Sequence, residues 1–370
     1  MTASASVRER ILTRRELNRA LLARQLLLER ARSPLTRVLE RVAGLQTQYA
    51  PSGYLGLWSR LDGFALDHLT RALERRRAVQ ATLMRATIHV VSAGDFPLFA
   101  AGTRRARQEA WVRSHRRRGG DVDMDAAAER LRTHLAGGVA RGSELVELLS
   151  DHGTGATMVF NGLGAWLDLV RVPPSGTWDR RRADLYATAA DWLGSSRSTS
   201  EEEGLAHLLR RYLGGFGPAP LADAANWAGV PAANLRLAAE RLRLRTFRDE
   251  DGAVLLDLPR GLLPDGRARA PVRFLPTWDA TLLVHVRRTQ VLPEPFRARV
   301  FNTRTPHSLA TFLVDGAVAG AWRIERSARK ATLTLEPFEP LPAPARRAVR
   351  EEAERLVRFH EPDALSYSVA

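Results

Sequence analysis

The sequence predicts a mainly α chain with β elements, built as tandem helix–helix–helix–hairpin units followed by a β-rich C-terminal domain. Three observations point there. Helical periodicity fills the first two-thirds of the chain. It gives way repeatedly to short strand pairs around turn residues. From Pro271 onward the pattern changes to short strand candidates closed by one amphipathic helix.

The first unit spans residues 14–118. Residues 16–30 carry Leu17, Leu21, Leu22, Leu27 and Leu28 in a broad helical stripe, and Ser33-Pro34 caps a second helix that Gly44 stops. Residues 54–61 and 66–77 are two more helices. Residues 79–84 and 87–92 are then strands around Arg85-Ala86. Three helices and a strand pair follow the winged-helix plan. A long basic helix over 95–117 leads into Arg116-Arg117-Arg118-Gly119-Gly120, read as a linker.

The second unit, 121–198, has helical segments at 126–135, 143–150 and 162–170, with a wing expected to begin at Thr177-Trp178. The third, 199–268, has helices at 201–213, 221–228 and 232–242. Its hairpin signal is Asp249-Glu250-Asp251-Gly252. The last domain, 270–370, offers strands at 272–275, 281–286, 310–314, 317–324 and 331–336. A turn at Asp315-Gly316 and a closing helix over 346–359 complete it.

Composition narrows the function classes. Lys plus Arg number 56 against 41 Asp plus Glu, a net charge of +15 that favours a polyanionic partner. With no basic amphipathic anchor in view, nucleic acid is expected before a membrane surface. Lys330 is the single lysine, and the arginine excess accompanies abundant Ala and Gly, as GC-rich coding produces. The absence of cysteine excludes disulfides, iron–sulfur clusters, cysteine-bound zinc and thiol nucleophiles. No secretory leader or bilayer-spanning stretch is visible, so a cytoplasmic, nucleoid-associated protein is expected.

The segment Leu45-Gln46-Thr47-Gln48-Tyr49-Ala50-Pro51 carries the chemistry of interest. Proline keeps the preceding backbone extended. In extended geometry residues two apart share a side, so the Gln46 and Gln48 amides project together while Thr47 faces away. Paired amides can hold a water through their oxygens or donate from nitrogen. Loop capping is the ordinary alternative use of such residues.

This stretch, continuing to Tyr54, is followed by Leu83-Met84-Arg85-Ala86-Thr87-Ile88-His89. Downstream come Pro173-Pro174-Ser175-Gly176-Thr177-Trp178, Leu275-Pro276 with Asp279, Leu283 with His285, and Gly316, Gly320 and Trp322. In this order the motifs resemble the winged-helix DNA glycosylase family that unhooks interstrand crosslinks, of the azinomycin-resistance type, over about residues 14–360. The resemblance implies tandem winged helices and a C-terminal β domain in a C-shaped clamp. It places the family's two catalytic glutamines on Gln46 and Gln48. A related branch has aspartate at the second position, so Gln48 sets this chain with the two-glutamine branch of toxin self-resistance.

The implied substrate is double-stranded DNA carrying N7-alkylguanine, as a bulky adduct or crosslink, acted on by a monomer without cofactor. N7 alkylation makes guanine a cationic leaving group, with less need of an acid to protonate it. Positioning water and stabilising the sugar cation remain. With Lys330 read as a solvated turn residue, no amine offers a Schiff base apart from the remote Met1 terminus, and a monofunctional enzyme is expected. Arg85, Thr87, His89 and Tyr49 are candidate DNA contacts, although the first three serve equally to hold the wing. Arg104 and Arg105 on the basic helix are candidate phosphate contacts. Asp279 and His285 are an accessory acid/base pair or strand-stabilising groups, and Trp322 is a further accessory candidate.

Other patterns lead nowhere. Asp121-x-Asp123-x-Asp125 has Ala126 and Arg132 where a calcium loop needs Gly and Glu, so helix capping explains it better. The histidines lack metal-ligand spacing, and no metal site is expected. A non-catalytic DNA-binding regulator is the competing reading.

Overall fold

Local capping chemistry starts the helices. Thr13 and Glu16 form a reciprocal capping box, as do Ser200 and Glu203. In the computed structural model, residues 10–116, 122–194, 198–286, 289–301, 308–327 and 329–370 are described. The chain is a mixture of helix and strand.

Strand β1 (Ile11–Leu12) leads into α1 (Arg14–Arg24), α2 (Leu35–Arg41), β2 (Leu45–Gln46), α3 (Ala50–Arg60) and α4 (Leu66–Glu74). The helix expected over 16–30 stops early because Leu26 adopts φ 58°, which turns the buried Leu26 and Leu27 back into the core. Strands β3 (Ala78–Thr82) and β4 (Ile88–Ser92) form the expected hairpin, and α5 (Phe96–Arg116) is the long basic helix. The linker residues 117–120 and Asp121 lie outside the described residues.

Next come α6 (Met124–His134), β5 (Ala140–Arg141), α7 (Gly142–Glu147), α8 (Ala156–Leu163), β6 (Leu169–Arg171), β7 (Leu185–Thr188) and α9 (Ala189–Leu193). Asp123 caps α6, accepting from the backbone of Asp125 and Ala126. Thr177-Trp178 does not begin a strand. It sits in the loop between β6 and β7, closed by Ser175 Oγ, which accepts from the Asp184 and Leu185 amides.

Helices α10 (Glu201–Phe216), α11 (Leu221–Ala228) and α12 (Ala232–Arg241) precede β8 (Arg245–Asp249) and β9 (Val254–Asp257). Then follow β10 (Arg273–Leu275), α13 (Ala280–Leu283), α14 (Arg297–Val300), β11 (Thr311–Val314), β12 (Ala317–Ser327), β13 (Lys330–Pro337), α15 (Ala343–His360) and β14 (Ser366–Val369). The strand expected at 281–286 is the helix α13, because the Asp279 side chain accepts from the Thr281 amide and caps a turn. The Asp315-Gly316 turn between β11 and β12 forms as expected, with φ 45° and 82°.

Among the described residues the strands form three sheets. One has the order β1-β8-β9 and a second β10-β11-β12-β13-β14. The third, β2-β4-β3-β6-β7-β5, pairs β3 with β6 through Gln80↔Arg171 and Ala81↔Val170. Strands from 45–92 and from 140–188 therefore share one sheet. Helices α5 and α10 cross at Gly102 and Gly204, where a Cβ on Gly102 would lie 2.6 Å from the Gly204 carbonyl carbon. The apolar core binds α10, α11, β3, β4 and α5 through Phe99, Tyr212, Phe216 and Trp227.

Buried ion pairs tie distant segments together. Arg24 reaches Asp257 at 2.6 Å and Arg60 reaches Asp279 at 2.8 Å, each through two guanidinium–carboxylate hydrogen bonds. Among the described residues no helix is long and apolar enough to cross a membrane.

Candidate active site

Strand β2 is two residues long, and its register places Gln46 opposite His89 of β4. The Thr47 amide extends the pairing by donating to the Ile88 carbonyl at 2.8 Å. Tyr49 is extended (φ −118°, ψ 118°), and Pro51 lies in the first turn of α3, where its missing N–H costs nothing. The Gln46–Tyr49 segment is thus a tight connector between a strand and a helix. Thr47 is buried, with its methyl group against Gly53 of α3.

Both glutamine carbonyls are held by the turn joining β3 to β4. Gln46, 8% exposed, accepts at Oε1 from Arg85 Nη2 at 2.8 Å. Gln48, exposed, accepts at Oε1 from the Ile88 amide at 3.3 Å. Neither Nε2 has a hydrogen-bond partner among the described residues. Since each carbonyl oxygen has two lone pairs, each retains one acceptor site for another donor.

The turn is strained. Arg85 and Ala86 both have positive φ, 51° and 55°, a region non-glycine residues rarely enter. Packing enforces it: the backbone nitrogen of Arg85 would lie 2.8 Å from a Cβ at Gly229, which itself has φ 73°. Arg85 Nη1 also donates to the Trp227 carbonyl at 2.9 Å, so the end of α11 aims the guanidinium at Gln46. Thr87 Oγ1 donates to the Met84 carbonyl at 3.0 Å and closes the turn. Buried His89 lies within 3.0 Å of the Thr87 carbonyl at Nδ1. Burial, then the Arg85 charge, lower its pKa to about 3, so it is neutral at physiological pH.

Tyr49 is exposed and accepts at its hydroxyl from Arg181 Nη1 at 2.7 Å. The same guanidinium lies over the Tyr49 ring at 5.8 Å and the Trp178 ring at 5.6 Å. Sequence reasoning takes Trp178 as a wing start and a motif residue and misses Arg181. The run Arg180-Arg181-Arg182 after Trp178 was the available signal.

The remaining candidates do not join this cluster. Arg104 pairs with Asp168 at 2.5 Å, and Arg105 pairs with Glu109 at 3.0 Å. Asp279 and His285 each find a different partner. Asp279 is buried against Arg60, whose charge helps hold its carboxyl below the usual range against the opposing effect of burial. His285 contacts Asp223 at 3.1 Å and the Tyr212 hydroxyl at 3.4 Å. Trp322 is buried and donates to the Leu275 and Thr311 carbonyls at 3.1 Å. These three residues build the core because each finds its partners inside it. Among the described residues no three His, Asp or Glu side chains are grouped to hold a metal ion.

An amide pair held by a strained turn on a strongly basic chain belongs here to a class of DNA-processing enzymes, the DNA glycosylases. A family model described as "DNA glycosylase AlkZ-like" matches residues 39–359, and the chain belongs to that family. Among solved structures it is similar to the Streptomyces sahachiroi DNA glycosylase AlkZ, with a TM-score of 0.80 and 20% sequence identity. That match covers 97% of this chain and 100% of the other, a likeness of fold. No curated protein matches the chain in sequence.

Proposed function

We propose that the chain is a monofunctional glycosylase that hydrolyses the N-glycosidic bond of N7-alkylated guanine in duplex DNA, bulky adducts and crosslinks included. The observation that carries this reading is the common anchoring of the Gln46 and Gln48 carbonyls by the turn at residues 84–88. A water donating one hydrogen to each Oε1 keeps an oxygen lone pair for C1′. As C1′–N9 breaks, its electron pair neutralises the alkylated imidazolium ring. The water oxygen bonds to C1′, and its extra proton passes to solvent. The products are the free alkylguanine and an abasic site.

Two neutral amides stabilise an oxocarbenium-like sugar less than a carboxylate would. A cationic base leaves with that help, whereas an unmodified guanine does not. Selectivity for N7-alkylated bases follows in part from leaving-group quality. Lys330, the single lysine, is exposed at the start of β13, in keeping with a reaction that forms no Schiff base.

The proposal extends to architecture. The segments 14–118, 121–198 and 199–268 act as winged-helix modules and 270–370 as the β-rich module of a C-shaped clamp. The protein works as a monomer at the nucleoid, in base excision repair or self-resistance to an alkylating antibiotic. The clamp brings the glutamines to the sugar with little base flipping, since a crosslinked guanine is tethered to the opposite strand. Incubation with duplex carrying N7-methylguanine, then heat or alkali, tests the reaction. Strand breaks at the lesion and none in unmodified duplex are expected. Sequence-selective binding without breaks would indicate a regulator instead.

A further inference from the structure

Arg107 is a buried charge without an answer. It lies on α5, is 9% exposed, and has no hydrogen-bond or ion-pair partner among the described residues. Arg24 and Arg60, buried more deeply, are each closed by a carboxylate. The charges acting on Arg107 are Asp168, Arg104 and Arg171, and Asp168 is already bound by Arg104 at 2.5 Å. Burial lowers the Arg107 pKa to about 10, which leaves it charged at neutral pH. An unpaired buried guanidinium is costly to the fold, so its place demands another explanation.

Arg107 opens onto a cleft of about 660 Å³ that Arg85, Arg113, Trp111, Asn161 and Asn226 also line. The lining carboxylate, Glu109, is engaged by Arg105 at 3.0 Å and Arg113 at 3.7 Å. Asn161 and Asn226 are exposed and have no hydrogen-bond partner among the described residues. The cleft therefore presents positive charge, free amide donors and one indole face.

We infer that this cleft is an anion site in which Arg107 receives a backbone phosphate of the DNA, beside the amide pair. The inference rests on DNA being the substrate. Arg85 lines the cleft and also donates to Gln46, so a phosphate held here lies one side chain from the proposed catalytic amides. Occupation supplies Arg107 with a counter-charge beyond Asp168, which Arg104 already engages, and it fixes the register of the duplex against Gln46 and Gln48.

The test is DNA binding by the full chain and its R107M and R107K variants, measured from low to high salt with lesion-free duplex. R107M is expected to bind about tenfold more weakly and to lower the slope of log affinity against log salt by about one. Its Tm should equal or exceed the parent's, because a buried unpaired charge is gone. R107K, which keeps the charge, should retain most of the slope. Equal affinity and slope in parent and R107M would overturn the inference, as would equal losses in both variants. So would stabilisation of the parent by inorganic phosphate with no change in DNA binding by R107M, which would assign the cleft to a free anion. A parent that fails to bind DNA would sink the glycosylase reading itself.

Discussion

Arg85 donates from Nη2 to Oε1 of Gln46 at 2.8 Å and from Nη1 to the carbonyl of Trp227 at 2.9 Å. One guanidinium thus connects the end of α11 to the end of β2. The planar fork fixes the plane in which the Gln46 oxygen can accept a further donor. A lysine offers a point charge and cannot span both acceptors.

The first prediction follows directly. R85K should lower the single-turnover excision rate by about tenfold or more, since small misplacements of reacting groups are costly. Protein stability should change much less than the rate. A rate equal to the parent's would show that Arg85 does not orient Gln46.

Gly229 is the second lever. A Cβ there would lie 2.8 Å from the Arg85 nitrogen, on a residue with φ 73°. G229A should cost about 1–3 kcal/mol in urea denaturation, from left-handed strain and overpacking. It should also slow excision at temperatures where the variant is folded, because the Arg85 turn must move.

His89 predicts a pH dependence of stability. Its folded pKa is about 3, below the ordinary histidine value near 6.5. Between these values the unfolded chain binds a proton that the folded chain does not. Stability is therefore complete above about pH 6.5 and falls by about 1.4 kcal/mol per pH unit as the solution is acidified towards pH 3. H89N should flatten that part of the pH–stability curve, measured by denaturant titration at fixed pH values.

Asp279 is predicted to matter for folding and not for chemistry. D279A leaves Arg60 buried without its carboxylate and should cost about 3–5 kcal/mol. At low temperature the folded fraction should excise at the parental rate. A rate loss that exceeds the loss of folded protein would return Asp279 to the list of acid/base groups.

Much of this was legible in the residues. The turns at Asp249–Gly252 and Asp315-Gly316 and the β3–β4 hairpin follow from local chemistry. The early end of α1 was not legible, because Leu26 enters left-handed geometry under tertiary packing and no glycine announces it. Helix α13 reads as a strand because it comes soon after a real strand and carries Thr281, Leu282 and Leu283, residues that strands also favour. Strand β14 went unnoticed because it pairs in parallel with β13 across the whole of α15.

The site divides the same way. Gln46 and Gln48 were visible as an extended pair before proline. Their anchoring by Arg85 and the Ile88 amide was not, since it depends on two non-glycine residues at positive φ. The Arg181–Tyr49 contact joins residues 132 positions apart. The burial of Asp279, His285 and Trp322 likewise depends on partners far along the chain.

The most direct measurement is single-turnover excision of N7-methylguanine by the parent, Q46A and Q48A, with enzyme in excess over duplex. Each variant should fold and bind DNA as the parent does, yet release the base at least about a hundredfold more slowly. If both variants excise at the parental rate, the amide pair is not the catalytic centre.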